Sequence, residues 1–179
     1  MIYIGTYDSP IGVIYITTTQ KELTGVWFDK QHVIEELKEE PTQASTQVMR
    51  ETMKWLDLYF AGEEPDFMPD CKMGGTAFRK AVWEILKEIP YGETTTYGEI
   101  AKKVAKQFGK TTMSAQAVGG AVGHNPIGIL VPCHRVVGTN GNLTGYAGGI
   151  DKKIALLQLE KHDMSKFNDK KRPKWDERE

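Results

Sequence analysis

The sequence predicts an α+β chain, with a small sheet-bearing N-terminal domain ahead of a mainly helical C-terminal domain. Three observations predict it. The first thirty residues are dense in Ile, Val, Tyr, Thr and Trp and are broken by short turns, the composition of strands. From Thr76 onward, apolar residues recur at helical spacing behind residues suited to capping. Between these regions, residues 63–75 hold Pro65, Pro69, Gly74 and Gly75 without periodicity, and the sign of the charge changes there. Residues 1–75 carry 6 basic and 13 acidic side chains, residues 76–138 carry 8 and 4, and residues 139–179 carry 9 and 7. The domains are therefore placed at 1–75 and 76–163, followed by a charged tail at 164–179.

In chain order, residues 3–7, 12–19 and 23–28 read as strands of a short antiparallel sheet, with Ser9-Pro10 and Gln20-Lys21 at the turns. Residues 33–40 form a charged helical connector ending at Pro41. A helix over 47–60 follows, with Thr46 as N-cap and Gly62 just past its end. Thr76 caps a helix through residue 89, with Phe78, Val82, Ile85, Leu86 and Ile89 on one face, and Pro90-Tyr91-Gly92 stops it. Thr96 caps a helix over 97–106, residues 107–112 turn around Gly109, and Ser114 starts a helix over 115–123. The last two have the dimensions of a helix-turn-helix. A final helix spans 151–161, with Ile154, Leu156, Leu157 and Leu159 apolar, and residues 164–179 are expected to fray.

Composition bounds the function. With 40% hydrophobic and 26% charged residues the chain has the make-up of a soluble globular protein, and no run approaches the roughly 20 apolar residues of a membrane span. The N-terminus has neither a basic stretch nor a long apolar one, so no signal peptide is expected. Two cysteines in unlike surroundings suit a reducing, cytoplasmic setting. The net charge of −1 points to no polyanion for the chain as a whole, but its uneven distribution leaves the C-terminal half able to meet one.

Cys133 carries the chemistry. It sits in Pro132-Cys133-His134-Arg135, behind the apolar run Ile127-Gly128-Ile129-Leu130-Val131. Neighbouring basic groups favour thiolate, the nucleophilic form of cysteine. No second pair at zinc-like spacing exists, and no Cys-x-x-Cys, P-loop or Gly-x-Gly-x-x-Gly, so neither a metal nor a nucleotide cofactor is expected. His134 can face the sulfur only if Pro132 and Cys133 lie in a turn, because adjacent strand residues point to opposite faces. The helix over 115–123 is almost all small residues, and its three glycines each cost about 1 kcal/mol of helix stability relative to Ala. Such a helix suits close approach by another helix or by a ligand backbone. Lys102, Lys103, Lys106 and Lys110 just before it suit phosphates. The loop 138–149 is glycine-rich, with Tyr146 as an aromatic wall for a planar ligand.

Taken in order, Pro90-Tyr91-Gly92-Glu93, Thr96-Tyr97-Gly98, Ala117-Val118-Gly119, Asn125-Pro126, the Pro-Cys-His-Arg block and Gly145-Tyr146-Ala147-Gly148-Gly149 resemble the O6-alkylguanine-DNA alkyltransferases. The resemblance is close over residues 76–160 and general in plan over 1–75. It implies a protein that binds the minor groove of double-stranded DNA by its helix-turn-helix and flips the damaged nucleotide into a pocket. Cys133 would then take the alkyl group from O6-methylguanine, and from O4-methylthymine, in one irreversible transfer that consumes the protein. His134, linked through a water to Glu160, would accept the thiol proton, and Tyr97 would help turn the nucleotide out and protonate the departing base. Val136, Ala147 and Tyr146 would line the guanine pocket, and Asn125 would brace the cysteine loop. Ser114, Gly98, Arg135 and Gln116 fall in the same DNA- and substrate-binding set. No cofactor, no obligate protein partner and a monomer are implied.

Two departures stand out. Gln116 occupies the place where the family usually has an arginine, which implies weaker and less salt-dependent DNA binding. No cysteine precedes Cys71, so neither an N-terminal zinc site nor a cysteine-rich domain carries over. The competing readings are a module that binds alkylated bases without transfer, which would not need Cys133, and a thiol hydrolase, for which no further base or oxyanion signature is present.

Overall fold

The computed structural model describes residues 1–168. They form two units: Met1–Gly75 with Asn125–Val131, and Thr76–His124 with the chain from Pro132 onward. The α+β expectation, a sheet-bearing N-terminal part and a helical C-terminal part, is borne out.

In the first unit, β1 (Tyr3–Ser9), β2 (Gly12–Thr18) and β3 (Leu23–Trp27) pair antiparallel, and β4 (Thr42–Gln43) adds to β1 in parallel. Ile14 and Ile16 of β2 are fully buried. The buried hydroxyls of that strand are paired: Trp27 Nε1–H donates to Thr17 Oγ1 at 3.0 Å, and Thr18 Oγ1 lies 2.8 Å from Thr46 Oγ1. α1 (Lys30–Glu36) ends earlier than expected: it buries only Val33, and its C-cap Leu37 already has extended backbone. The chain then runs extended into β4, where Thr42 N–H donates to the Ile2 carbonyl. α2 (Gln47–Phe60) starts at its expected cap, with Thr46 Oγ1 accepting from Met49 N–H, and buries Val48, Met49, Thr52, Trp55, Leu56 and Tyr59.

β3 recruits two segments that the sequence did not assign to the sheet. Leu23 N–H donates to the Asp70 carbonyl and Lys72 N–H to the Leu23 carbonyl, so the stretch around Cys71 is ordered beside β3 rather than structureless. Val26 N–H donates to the Pro126 carbonyl and Gly128 N–H to the Val26 carbonyl. Asn125–Val131, expected within 76–163, is therefore part of the first unit.

The second unit packs α3 (Ala77–Lys87), α4 (Tyr97–Gln107) and α5 (Ala115–Gly123) around Val82, Leu86, Ile100, Val104 and Val118. Each helix is capped as expected: Thr76, Thr96 and Ser114 accept from the N–H groups of Arg79, Glu99 and Ala117. The small residues of α5 allow close packing, and Trp83 Nε1–H reaches the Ala121 carbonyl at 2.9 Å. A parallel pair, β5 (Thr95–Thr96) with β6 (Val136–Val137), ties the start of α4 to the chain leaving Cys133. α6 (Ile150–Leu159) closes a second core of Val137, Leu143 and Leu157, joined by Ile154, Met164 and Phe167.

 

The tail does not fray where it begins: Met164–Lys166 forms a short 3-10 turn, and Asn168 pairs with the 141–143 backbone, which corrects the expectation for residues 164–168. Residues 169–179 of that expected tail lie outside the described residues.

Candidate active site

Cys133, His134 and Arg135 form a single 3-10 turn, closed by Arg135 N–H to the Pro132 carbonyl and Val136 N–H to the Cys133 carbonyl. The backbone is thus a turn rather than a strand, which is the condition under which His134 can serve the sulfur beside it in sequence. Cys133 is 8% exposed and His134 is fully buried.

His134 Nε2 lies 2.6 Å from Glu160 Oε2. The contact is direct, which corrects the expectation of a water between them. Glu160 stands just past the end of α6 (Ile150–Leu159), and its carboxylate accepts from four donors: His134 Nε2, Arg135 Nε at 2.9 Å, Arg135 Nη2 at 3.3 Å and Gly92 N–H at 2.9 Å. Burial pushes this carboxyl up, but the hydrogen bonds and charges of His134 and Arg135 outweigh it and hold it well below the usual carboxylate range. Burial pushes the His134 imidazole down, and this outweighs the pull of Glu160 in the other direction. The resting pair is therefore a carboxylate and a neutral imidazole. With its Nε2–H donating a hydrogen bond to Glu160, that imidazole keeps its basic lone pair on Nδ1.

Arg135 does not face a nucleic-acid surface. It is buried, its guanidinium holds both oxygens of Glu160, and its Nη1 donates to the Ile89 carbonyl at 2.7 Å. The guanidinium also lies 5.7 Å from the centre of the Tyr91 ring. The Pro90-Tyr91-Gly92-Glu93 motif thus serves this ion pair: Glu93 N–H bonds the Pro90 carbonyl, and Gly92, at φ +79°, takes the left-handed position that aims its N–H at Glu160.

Lys153, not singled out from the sequence, is buried in α6 and donates to the Val136 carbonyl at 2.6 Å and the Thr144 carbonyl at 2.9 Å. Burial pushes its ammonium down to about 8, opposed by its attraction to Cys133. A signal for it exists in the sequence: Lys153, Leu156, Leu157 and Glu160 follow the i, i+3, i+4, i+7 spacing of one buried helix stripe. Tyr97 donates its hydroxyl proton to the same Thr144 carbonyl at 3.3 Å. Burial raises its phenol above the ordinary value, partly offset by that hydrogen bond and reinforced by Cys133, so it remains a proton donor at neutral pH.

Tyr97, Gly98, Gln116, Tyr146 and Ala147 line one cavity of about 660 Å³. Gln116 and Gly98 are exposed, Tyr146 is half-buried, and Gly119 of α5 leaves room for the Tyr97 ring, 3.9 Å from where a Cβ would stand. Cys133, Val136, Asn125, Arg135 and Ser114 are not on its wall. Val136 is buried with its carbonyl taken by Lys153, and Ser114 is committed to capping α5. Asn125 spans its own turn in the first unit, donating from Nδ2 to the Val131 carbonyl at 2.8 Å and accepting from Ile127 N–H at 3.0 Å. Within that turn Ile129, buried and β-branched, has φ +67°, a conformation that costs of order 1–3 kcal/mol. Lys102, Lys103, Lys106 and Lys110 are all exposed on α4 and the turn after it. Among the described residues no three His, Cys, Asp or Glu side chains are grouped to hold a metal ion, and no helix is long and apolar enough to cross a membrane.

Residues 77–162 match the family described as 6-O-methylguanine DNA methyltransferase, DNA binding domain, and residues 2–68 match its ribonuclease-like domain. The chain is 45% identical over 159 residues to a methylated-DNA–protein-cysteine methyltransferase of Methanosarcina acetivorans, covering 89% of this chain and 98% of that one. It is 43% identical over 165 residues to the protein of the same description from Mycobacterium tuberculosis strain H37Rv, covering 90% and 93%. Among solved structures it is similar to Mycobacterium tuberculosis OGT in complex with DNA, at 41% identity and a TM-score of 0.77, covering 92% of this chain and 94% of that one.

Proposed function

Since this chain belongs to the 6-O-methylguanine DNA methyltransferase family, we propose that Cys133 is the residue that accepts the alkyl group. The protein is a methylated-DNA–protein-cysteine methyltransferase that repairs DNA by alkyl transfer. The observation that carries the assignment is the 2.6 Å bond between His134 Nε2 and Glu160 Oε2, which orients an imidazole held neutral by burial so that its basic lone pair is on Nδ1, in the same turn as the thiol.

In this reading His134 takes the thiol proton. The thiolate attacks the alkyl carbon on guanine O6, the S–C bond forms as the C–O bond breaks, and the electron pair leaves with the guanine. Tyr97 supplies the proton that makes the departing base neutral. Lys153 lies within electrostatic reach of the sulfur and supports its negative charge. Arg135 acts through Glu160 as a positioning residue. The product thioether has no leaving group worth displacing, so each chain acts once and needs no cofactor.

The cavity of about 660 Å³, lined by Tyr146, Ala147 and Gln116 among others, suits a nucleobase turned out of double-stranded DNA. Minor-groove entry of α5, action on O4-methylthymine, a monomeric state and a cytoplasmic setting belong to the same proposal. The test is a titration of the protein with duplex carrying labelled O6-methylguanine. Transfer that stops at one methyl per chain supports the reading. Transfer that continues past that ratio refutes it.

Two further outcomes are expected. Gln116→Arg raises duplex affinity and steepens its salt dependence by about one released counterion. Unchanged affinity would place Gln116 away from the DNA. Single-turnover rates fall on the acid side as His134 becomes protonated, at a pH below 6.5 because burial lowers its pKa. They fall again as pH rises through about 8, where Lys153 loses its charge. Lys153→Met removes the alkaline limb and keeps the acid one; an alkaline limb that survives this change belongs to another group.

A further inference from the structure

Resting on the reading of Cys133 as alkyl acceptor, we infer that the segment Met164–Asn168, beyond α6, is a positioning strap that holds the substrate-pocket loop in its productive place. The loop contributes Gly138, Thr139, Thr144, Gly145, Tyr146 and Ala147 to the cavity wall. Its first half is a tight turn on Asn140-Gly141, both with positive φ, closed by Asn142 N–H to the Thr139 carbonyl and Gly138 N–H to the Asn142 carbonyl. A turn of this kind fixes its own shape but not its place against the rest of the molecule.

Two sets of contacts supply that place. From the inside, Lys153 and Tyr97 both hold the Thr144 carbonyl. On the loop's other flank, the strap pairs with it through backbone: Asn168 N–H donates to the Gly141 carbonyl at 2.9 Å, and Leu143 N–H donates to the Asn168 carbonyl at 2.6 Å. The approach is so close that a Cβ on Gly141 would stand 2.2 Å from the Lys166 carbonyl oxygen, so only glycine fits there. Phe167 packs against the core of Val137, Leu143 and Leu157, and the His162 ring meets it edge-on at 5.6 Å. Val137 belongs to the strand that leaves the Cys133 turn, and Leu157 to the helix that leads to Glu160. The strap therefore ties the pocket loop to both elements that carry the reacting groups. Misplacement by about 1 Å at a distance from the chemistry costs a reaction on the order of 100-fold.

The test uses full-length chains. Asn168→Pro removes the N–H given to Gly141, at a site where Phe167 already has the extended backbone that a following proline requires. Phe167→Ala removes the packing. Single-turnover rates are measured on an O6-methylguanine duplex and on free O6-benzylguanine base, with duplex affinity measured for each variant combined with Cys133→Ala and thermal melting for each variant. The unaltered chain must first take a methyl group; if it does not, the reading of Cys133 fails and not the strap. The expected result is a loss of roughly tenfold or more in the duplex rate, a changed ratio between the two substrates, and duplex affinity within about twofold. Rates within about twofold for Asn168→Pro, or losses equal on both substrates that follow the unfolded fraction, overturn the inference.

Discussion

Cys133→Ala is expected to abolish alkyl transfer and to leave duplex binding intact. The residue supplies the only atom proposed to bond the alkyl carbon, so no residual rate should survive its loss. The other cysteine, Cys71, is in the first unit, with its thiol directed to the Pro69 carbonyl. The exposed lysines of α4 and Gln116 of α5, which carry the proposed DNA contacts, are unaffected by removing one sulfur atom. The fold should tolerate the change, because Cys and Ala are close in size and the turn at 133–135 is closed by backbone groups. Duplex affinity and labelled-methyl transfer, measured on the same preparation, check both halves. A variant that still transfers would remove Cys133 from its role.

Glu160→Gln is expected to impair both stability and rate. The carboxylate lies at the centre of a buried cluster, and its loss leaves the Arg135 guanidinium without a counter-charge. Removing one partner of a buried ion pair costs about 3–5 kcal/mol. The amide also weakens the hold on the His134 tautomer, and loss of a well-oriented general base slows a reaction by about 10²–10⁴-fold. The pH dependence has a definite sign. Because the folded carboxyl sits below its ordinary value of 4.5, its contribution is fully present above that pH and is lost as pH falls toward the folded value. His134, lowered from 6.5 by burial, adds loss of the same sign below that pH. Urea unfolding across pH 3–7 should therefore show stability falling toward acid in the native chain, with a shallower fall below about pH 4.5 in Glu160→Gln. Unchanged stability and unchanged rate in this variant would show that the cluster does not support the site.

The features legible in the sequence were those fixed locally. Thr46, Thr76, Thr96 and Ser114 cap their helices as expected, because capping involves a side chain and a backbone N–H only three residues away. The Pro-Cys-His-Arg block was equally plain, since its neighbours in sequence are also its chemistry. Features set by tertiary pairing were not legible. The β5–β6 pair is two residues long and joins residues 41 apart in sequence, and Asn125–Val131 joins β3 through backbone bonds that no side-chain pattern encodes. Arg135, which the resemblance places in the DNA- and substrate-binding set, is instead buried, because its guanidinium pairs with the buried Glu160 carboxylate and the Ile89 carbonyl. Lys153 and Glu160 are a charged pair of positions on an otherwise apolar stripe of α6, a pattern readable in the sequence once the helix phase is fixed.

The central claim is that Cys133 itself ends the reaction carrying the alkyl group. It is tested most directly by treating the protein with O6-methylguanine duplex, digesting it and locating the added methyl by mass. The expected result is a single methyl, on the peptide that contains Cys133, with the sulfur as the modified atom. A methyl on Cys71 or any other residue, or demethylated DNA with no modified peptide, would contradict it.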